Sequence, residues 1–80
     1  MMKVELNLYA TLARYLPDAV KQAGNRIEVE SGTTVADLMR QLNVPEAQVK
    51  LVFINGTHAG PQSLLQDGCR VGVFPPVGGG

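Results

Sequence analysis

A chain of 80 residues has room for one hydrophobic core and no second domain. Hydrophobic residues make up 45% of it and charged residues 18%, a globular composition that excludes a disordered chain. Seven Lys and Arg balance seven Asp and Glu, so the charge offers no footprint for nucleic acid and no polybasic run for a membrane surface.

Lys3 to Tyr9 alternates, with Val4, Leu6 and Leu8 on one face and Lys3, Glu5 and Asn7 on the other, which predicts a half-buried strand. Leu12, Tyr15, Leu16, Ala19, Val20 and Ala23 follow at helical spacing, but Pro17 cuts through the pattern. The expectation is one short helix through about Tyr15 and a second turn starting at Pro17. Gly24-Asn25 breaks the chain. Arg26 to Glu30 alternates again, with Ile27 and Val29 inward, and reads as a second strand.

Ser31-Gly32-Thr33-Thr34 is a turn that also supplies helix caps. Thr33 or Thr34 can accept from the free N–H groups of a first turn, and Asp37 adds favourable charge there. Val35, Leu38, Met39 and Leu42 then form one apolar stripe of an amphipathic helix that Asn43 and Pro45 end. Lys50 to Ile54 is predicted as a buried strand, Asn55-Gly56 as a tight turn, and Thr57-His58 as a short return. Ser63-Leu64-Leu65 is predicted as a single turn, Asp67-Gly68 as a cap, and Cys69 to Phe74 as the last strand.

Two strands precede the main helix and the rest follow it. One apolar stripe means that the helix lies across one face of a mixed sheet of four to five strands. A right-handed crossover from the second strand puts the third parallel to its neighbour or one strand away. The expected architecture is α+β, a ubiquitin-like β-grasp over residues 1–75, with residues 76–80 as a flexible tail.

The tail is the part of the sequence richest in chemical meaning. Phe74-Pro75-Pro76-Val77-Gly78-Gly79-Gly80 passes from a strand through two prolines into residues with no side chains. Prolines hold φ near −65° and lack an N–H, so they favour an extended course away from a sheet. Glycine lets backbone thread where nothing wider fits. A stiff neck and a bare tip suit entry into another protein's active site, where the only group offered is the Gly80 α-carboxylate. Glycine-rich ends also occur as linkers, but the prolines and Val77 are not linker composition.

Over nearly the whole chain these residues resemble the MoaD/ThiS group of ubiquitin-like sulfur carriers. The matching positions are Lys3-Val4, Tyr9-Ala10-Thr11-Leu12, Thr34-Val35, Val52 to Gly56, Asp67-Gly68 and the Phe74-Pro75-Pro76-Val77 neck before the glycines. The double proline is most similar to MoaD, the small subunit of molybdopterin synthase; Gly78 stands where MoaD tails often carry a side chain. The resemblance implies that a MoeB-like adenylating enzyme uses ATP to activate Gly80. Sulfur then replaces AMP to leave a thiocarboxylate, and a MoaE-like large synthase subunit receives the sulfur for the molybdenum or tungsten pterin. A ThiS-like role in thiazole synthesis and a ubiquitin-like modifier forming isopeptide bonds share the activation chemistry and stay open. Extended, residues 76 to 80 reach about 15–18 Å from the body. Docking needs apolar anchors near the tail root, and Phe74 is the first candidate, with Tyr9 and Leu65 behind it. Arg14 and Arg70 could hold acidic groups of a partner, against the simpler reading of solvated charge.

No catalytic set accompanies the tail, so the chain is read as a co-substrate that binds no cofactor or metal of its own. His58 is the sole histidine and has no neighbouring Cys or paired carboxylates. The single cysteine, Cys69, excludes an internal disulfide and reads as a small apolar core residue. No apolar stretch approaches the ~20 residues of a membrane span and no signal-peptide core is present, so the expected location is cytoplasmic.

Overall fold

A computed structural model describes residues 1–76; Val77, Gly78, Gly79 and Gly80, and with them the tip of the expected tail, lie outside the described residues. Strand β1 (Met2–Leu8) leads through a 3-10 helix (Ala10–Tyr15) into the short helix α1 (Asp18–Gln22), with Pro17 at its N-cap. Strand β2 (Arg26–Val29) and helix α2 (Val35–Gln41) follow. A single 3-10 turn at Glu46–Gln48 then precedes β3 (Leu51–Ile54), β4 (Thr57–Ala59) and β5 (Arg70–Phe74).

The five strands form one mixed sheet in the order β2-β1-β5-β3-β4. Its centre is a parallel ladder between β1 and β5, with Glu5 opposite Arg70 and Leu8 opposite Val73. All other pairings are antiparallel. The crossover through α2 does bring β3 parallel to β2, but two strands, β1 and β5, stand between them rather than one or none. β1 pairs with β2 through Met2–Glu5 and with β5 through Glu5–Leu8, and the short strands β2 and β4 take the edges.

Period-two alternation sends Val4, Leu6 and Leu8 of β1, Val29 of β2, Val52 of β3, and Val71 and Val73 of β5 to one face, where all are buried. Leu12, Leu16, Val20, Val35, Leu38, Met39 and Leu65 cover them, and Cys69 packs in the same core. The reason α2 begins where it does is a reciprocal cap. The Asp37 N–H donates to the Thr34 hydroxyl at 3.1 Å, and the Thr34 N–H donates to the Asp37 carboxylate at 3.1 Å. Asn43, in the left-handed region at φ +63°, turns the chain out of the helix.

Two local expectations are corrected. β3 is half-buried rather than buried: Leu51 is 40% exposed, because the face it shares with Phe53 carries no covering layer. Ser63-Leu64-Leu65 is extended rather than a turn. Pro61-Gln62 takes the turn, and the three residues pair with the entry to α2, where the Val35 N–H donates to Ser63 O at 3.1 Å and the Leu65 N–H to Thr33 O at 2.9 Å. A tertiary partner here offers the backbone bonds that an isolated turn lacks.

Truncating Leu6→Ala, fully buried at the sheet centre, is expected to cost about 2–5 kcal/mol in denaturant unfolding, as core Leu deletions do. The Thr34 N–H first, and then the Arg40 guanidinium at 2.6 Å, hold the Asp37 carboxyl below its ordinary value. A depressed folded value stabilises above the unfolded value of about 3.9 and is lost as pH falls through the folded one. The stability gap between wild type and Asp37→Ala is therefore expected to be constant well above the unfolded value and to narrow as pH falls below it, as urea midpoints would read it.

Candidate docking face at the tail root

The face of the sheet opposite the core has no helix over it, and its residues sort by strand. On β1 and β2, opposite charges stand in register, Lys3 with Glu28 and Glu5 with Arg26, an arrangement suited to solvent. On β5, β3 and β4 the outward positions are Arg70, Gly72, Phe74, Leu51, Phe53 and His58. One half of the face is charged, and the half from which the tail leaves is aromatic.

Rings organise that half. Tyr9 stacks on Phe74 with centroids 4.3 Å apart and planes 6° from parallel. Phe53 meets Phe74 edge-on at 5.8 Å and His58 edge-on at 5.7 Å. The stack needs Gly72. A Cβ there would lie 3.3 Å from Cε2 of Tyr9 and 3.8 Å from Cε1 of Phe74, so its absence lets the rings settle onto the strand. Backbone bonds hold both partners in place: the Tyr9 N–H donates to Val73 O at 3.1 Å, and the Lys50 N–H to Phe74 O at 2.9 Å. Directly after Tyr9, Ala10 occupies the left-handed region at φ +52°, where its Cβ costs about 1 kcal/mol. That strained corner folds the chain back to the core and leaves Tyr9 on the open side, 43% exposed.

Of the residues expected at the tail root, Phe74 and Tyr9 therefore come together on one surface. Leu65 does not. At 3% exposure it belongs to the core, where its pairing with Thr33 points it, and it supplies no surface anchor. Pro75 is half-buried and Pro76 exposed as the chain leaves β5. Phe53, Leu51, His58 and Gly72 complete the surface, and none of them was expected there from the sequence. The signal for Phe53 lay in the Asn55-Gly56 turn, whose two positive φ angles (+52° and +81°) set the register that puts His58 across from it. Arg14 lies over the Tyr15 ring at 5.0 Å, whereas Arg70 borders the aromatic half. Among the described residues no helix is long and apolar enough to cross a membrane.

Gly72→Ala is expected to displace the Tyr9 ring by a few tenths of an ångström and to shift the Tyr9 and Phe74 ring-proton resonances, with unfolding free energy changed by about 1 kcal/mol or less.

Comparisons with known proteins place this arrangement. Structures similar along almost their whole length include SAMP1 from Haloferax volcanii, at 26% identity and a TM-score of 0.64, covering 98% of this chain and 99% of that one. The HVO 2177 protein of the same organism aligns at 28% identity and a TM-score of 0.70, over 99% and 87% of the two chains. A Pyrococcus furiosus protein provisionally named molybdopterin converting factor, subunit 1, aligns at 26% identity and 0.61, over 96% and 100%. A search of curated proteins found no match. The model of the ThiS family matches residues 11–80, from within the 3-10 helix that follows β1 through the end of the sequence. The chain belongs to the ThiS family, as a β-grasp of the ubiquitin-like sulfur-carrier type.

Proposed function

We propose that this protein carries sulfur as a thiocarboxylate on Gly80 for the synthesis of molybdopterin in the cytoplasm. A MoeB-like enzyme binds the carrier and ATP. The Gly80 carboxylate attacks the α-phosphorus and pyrophosphate leaves, giving an acyl-adenylate. A sulfide-equivalent nucleophile then adds to the carbonyl carbon and AMP departs, so that one oxygen has been exchanged for sulfur. A carboxylate is a poor acyl donor until its oxygen becomes a good leaving group, which is why ATP is consumed. Glycine leaves the carbon open to attack, with no Cβ beside it. The loaded tail next enters a MoaE-like large subunit, which supplies the catalytic groups for sulfur transfer.

The observation that carries this reading is the coincidence of the tail root with the aromatic half of the sheet. Phe74 is at once the last residue of β5 and the centre of the ring cluster, so a partner seated on Tyr9, Phe74, Phe53 and Leu51 receives the tail directly from beside its own surface. The Phe74-Pro75-Pro76-Val77 neck supports the pterin pathway over thiazole synthesis, as does the likeness to the Pyrococcus protein.

A second reading has its own support. SAMP1 is named as a small archaeal modifier protein, and similarity to it favours a role in which the activated Gly80 is transferred to lysines of other proteins. High-mass conjugates in cell extract would single out that role, and a co-purifying large synthase subunit would single out the first.

Incubation with the adenylating enzyme, ATP and a sulfur source is expected to raise the intact mass by about 16 Da, the exchange of oxygen for sulfur. Removal of Gly79 and Gly80 is expected to abolish that gain while the unfolding free energy stays within about 0.5 kcal/mol of wild type. An unmodified mass, under conditions that convert an established carrier, would count against the sulfur role.

A further inference from the structure

Above Gly72 the open face sinks into a hollow of about 190 Å³ lined by Asn7, Tyr9, Phe53, Gly56, Arg70, Gly72 and Phe74. Gly72 contributes to the lining beside the Tyr9 ring, which lies over its Cα. The Tyr9–Phe74 stack and the edge-on ring of Phe53 bound the apolar part, and Asn7, Arg70 and Gly56 close the rest. The shape suits a single inserted side chain, and the aromatic lining makes an aliphatic one the favourable choice.

Arg70 gives the hollow its chemistry. The carboxylate closest to it in register is that of Glu5, on the neighbouring strand. That carboxylate is instead engaged by Asn7, whose Nδ2 donates to Glu5 Oε2 at 2.9 Å, while Asn7 Oδ1 accepts from Asn25 Nδ2 at 2.9 Å. Among the described residues the one ion pair is Arg40 with Asp37, so no carboxylate comes within salt-bridge distance of the Arg70 guanidinium. A guanidinium beside an apolar hollow, with its in-register acid occupied elsewhere, complements a partner that brings both an aliphatic group and an anion.

We propose that this hollow is a specificity socket for the adenylating enzyme, taking an aliphatic side chain of that partner while Arg70 pairs with an Asp or Glu carboxylate next to it. That the occupant is a protein rests on the reading that the tail is delivered to one. The socket turns a general apolar contact into a selective one, because a partner with a basic residue at that point would meet Arg70 with like charge.

Two experiments separate the socket from the sulfur chemistry. The first titrates isotope-labelled protein with 4-methylpentanoate and with 4-methylpentanamide, which share an aliphatic body and differ in charge. The acid is expected to shift the Arg70, Gly72 and Phe74 amide resonances and to bind roughly two- to fivefold more tightly than the amide, the range of an exposed ion pair. Arg70→Gln is expected to erase the difference. Equal binding of acid and amide to wild type, or no shift at these residues, overturns the socket whether or not Gly80 can be thiolated. The second measures adenylation kinetics. Arg70→Glu is expected to raise the KM for the carrier several-fold with kcat unchanged, whereas Lys21→Glu, on α1 and outside the lining, leaves both unaltered. An unchanged KM in Arg70→Glu overturns the assignment to the activating partner. A wild-type chain that is never adenylated sinks the sulfur reading instead, and the titration then decides the socket alone.

Discussion

The parallel pairing of β1 with β5 is the contact on which the rest of this molecule depends. It brings Leu6 beside Val71 and Leu8 beside Val73 at the buried centre of the sheet, and so aligns the largest part of the core. The same register places the end of β1 next to the end of β5. Tyr9 meets Phe74 only because Leu8 is paired with Val73 one residue earlier. Core and aromatic face are two sides of one ladder, and a slip by a single residue would reverse both.

From that ladder the two faces diverge for different physical reasons. The inner face is closed by α2 and the connections around it, and its residues are chosen for volume. The outer face is left without a layer, yet it avoids being a continuous apolar sheet: β1 and β2 carry complementary charges, and a glycine interrupts β5 where a large residue would be expected. The apolar part is thereby confined to one end, beside the departing chain. An exposed cluster so restricted supports the proposed docking surface.

Much of this was legible from the amino-acid sequence because the relevant signals are local. Alternation in Lys3 to Leu8, the Thr34 to Asp37 cap and the Asn55-Gly56 turn each depend on neighbours a few residues away, and each appears as read. What was missed is non-local. Leu51 to Ile54 is apolar at every position, so no periodicity tells which pair faces the core; only the partner strands decide. Leu64 and Leu65 look interchangeable as surface or core, and the pairing of Leu65 with Thr33, more than thirty residues back in the chain, buries the second and exposes the first. The number of strands spanned by the α2 crossover likewise follows from β5 entering the middle of the sheet last. For the candidate site, Phe74 and Tyr9 were accessible to sequence reasoning through the tail they border, whereas Gly72 has no side chain to attract notice and its role appears only as an absence between two rings.

Because the final strand fills the central slot, a nascent chain still on the ribosome cannot complete this sheet from its earlier portions. Until β5 has been made, β1 has an unpaired edge and β3 lacks the neighbour that joins it and β4 to the rest. Loop closure over nearly the full length must precede the stabilising contacts, which slows folding relative to a domain built from adjacent hairpins. A chain that stops short of β5 therefore lacks the strand that joins β1 and β2 to β3 and β4, and the integrity of the sheet depends on Arg70–Phe74.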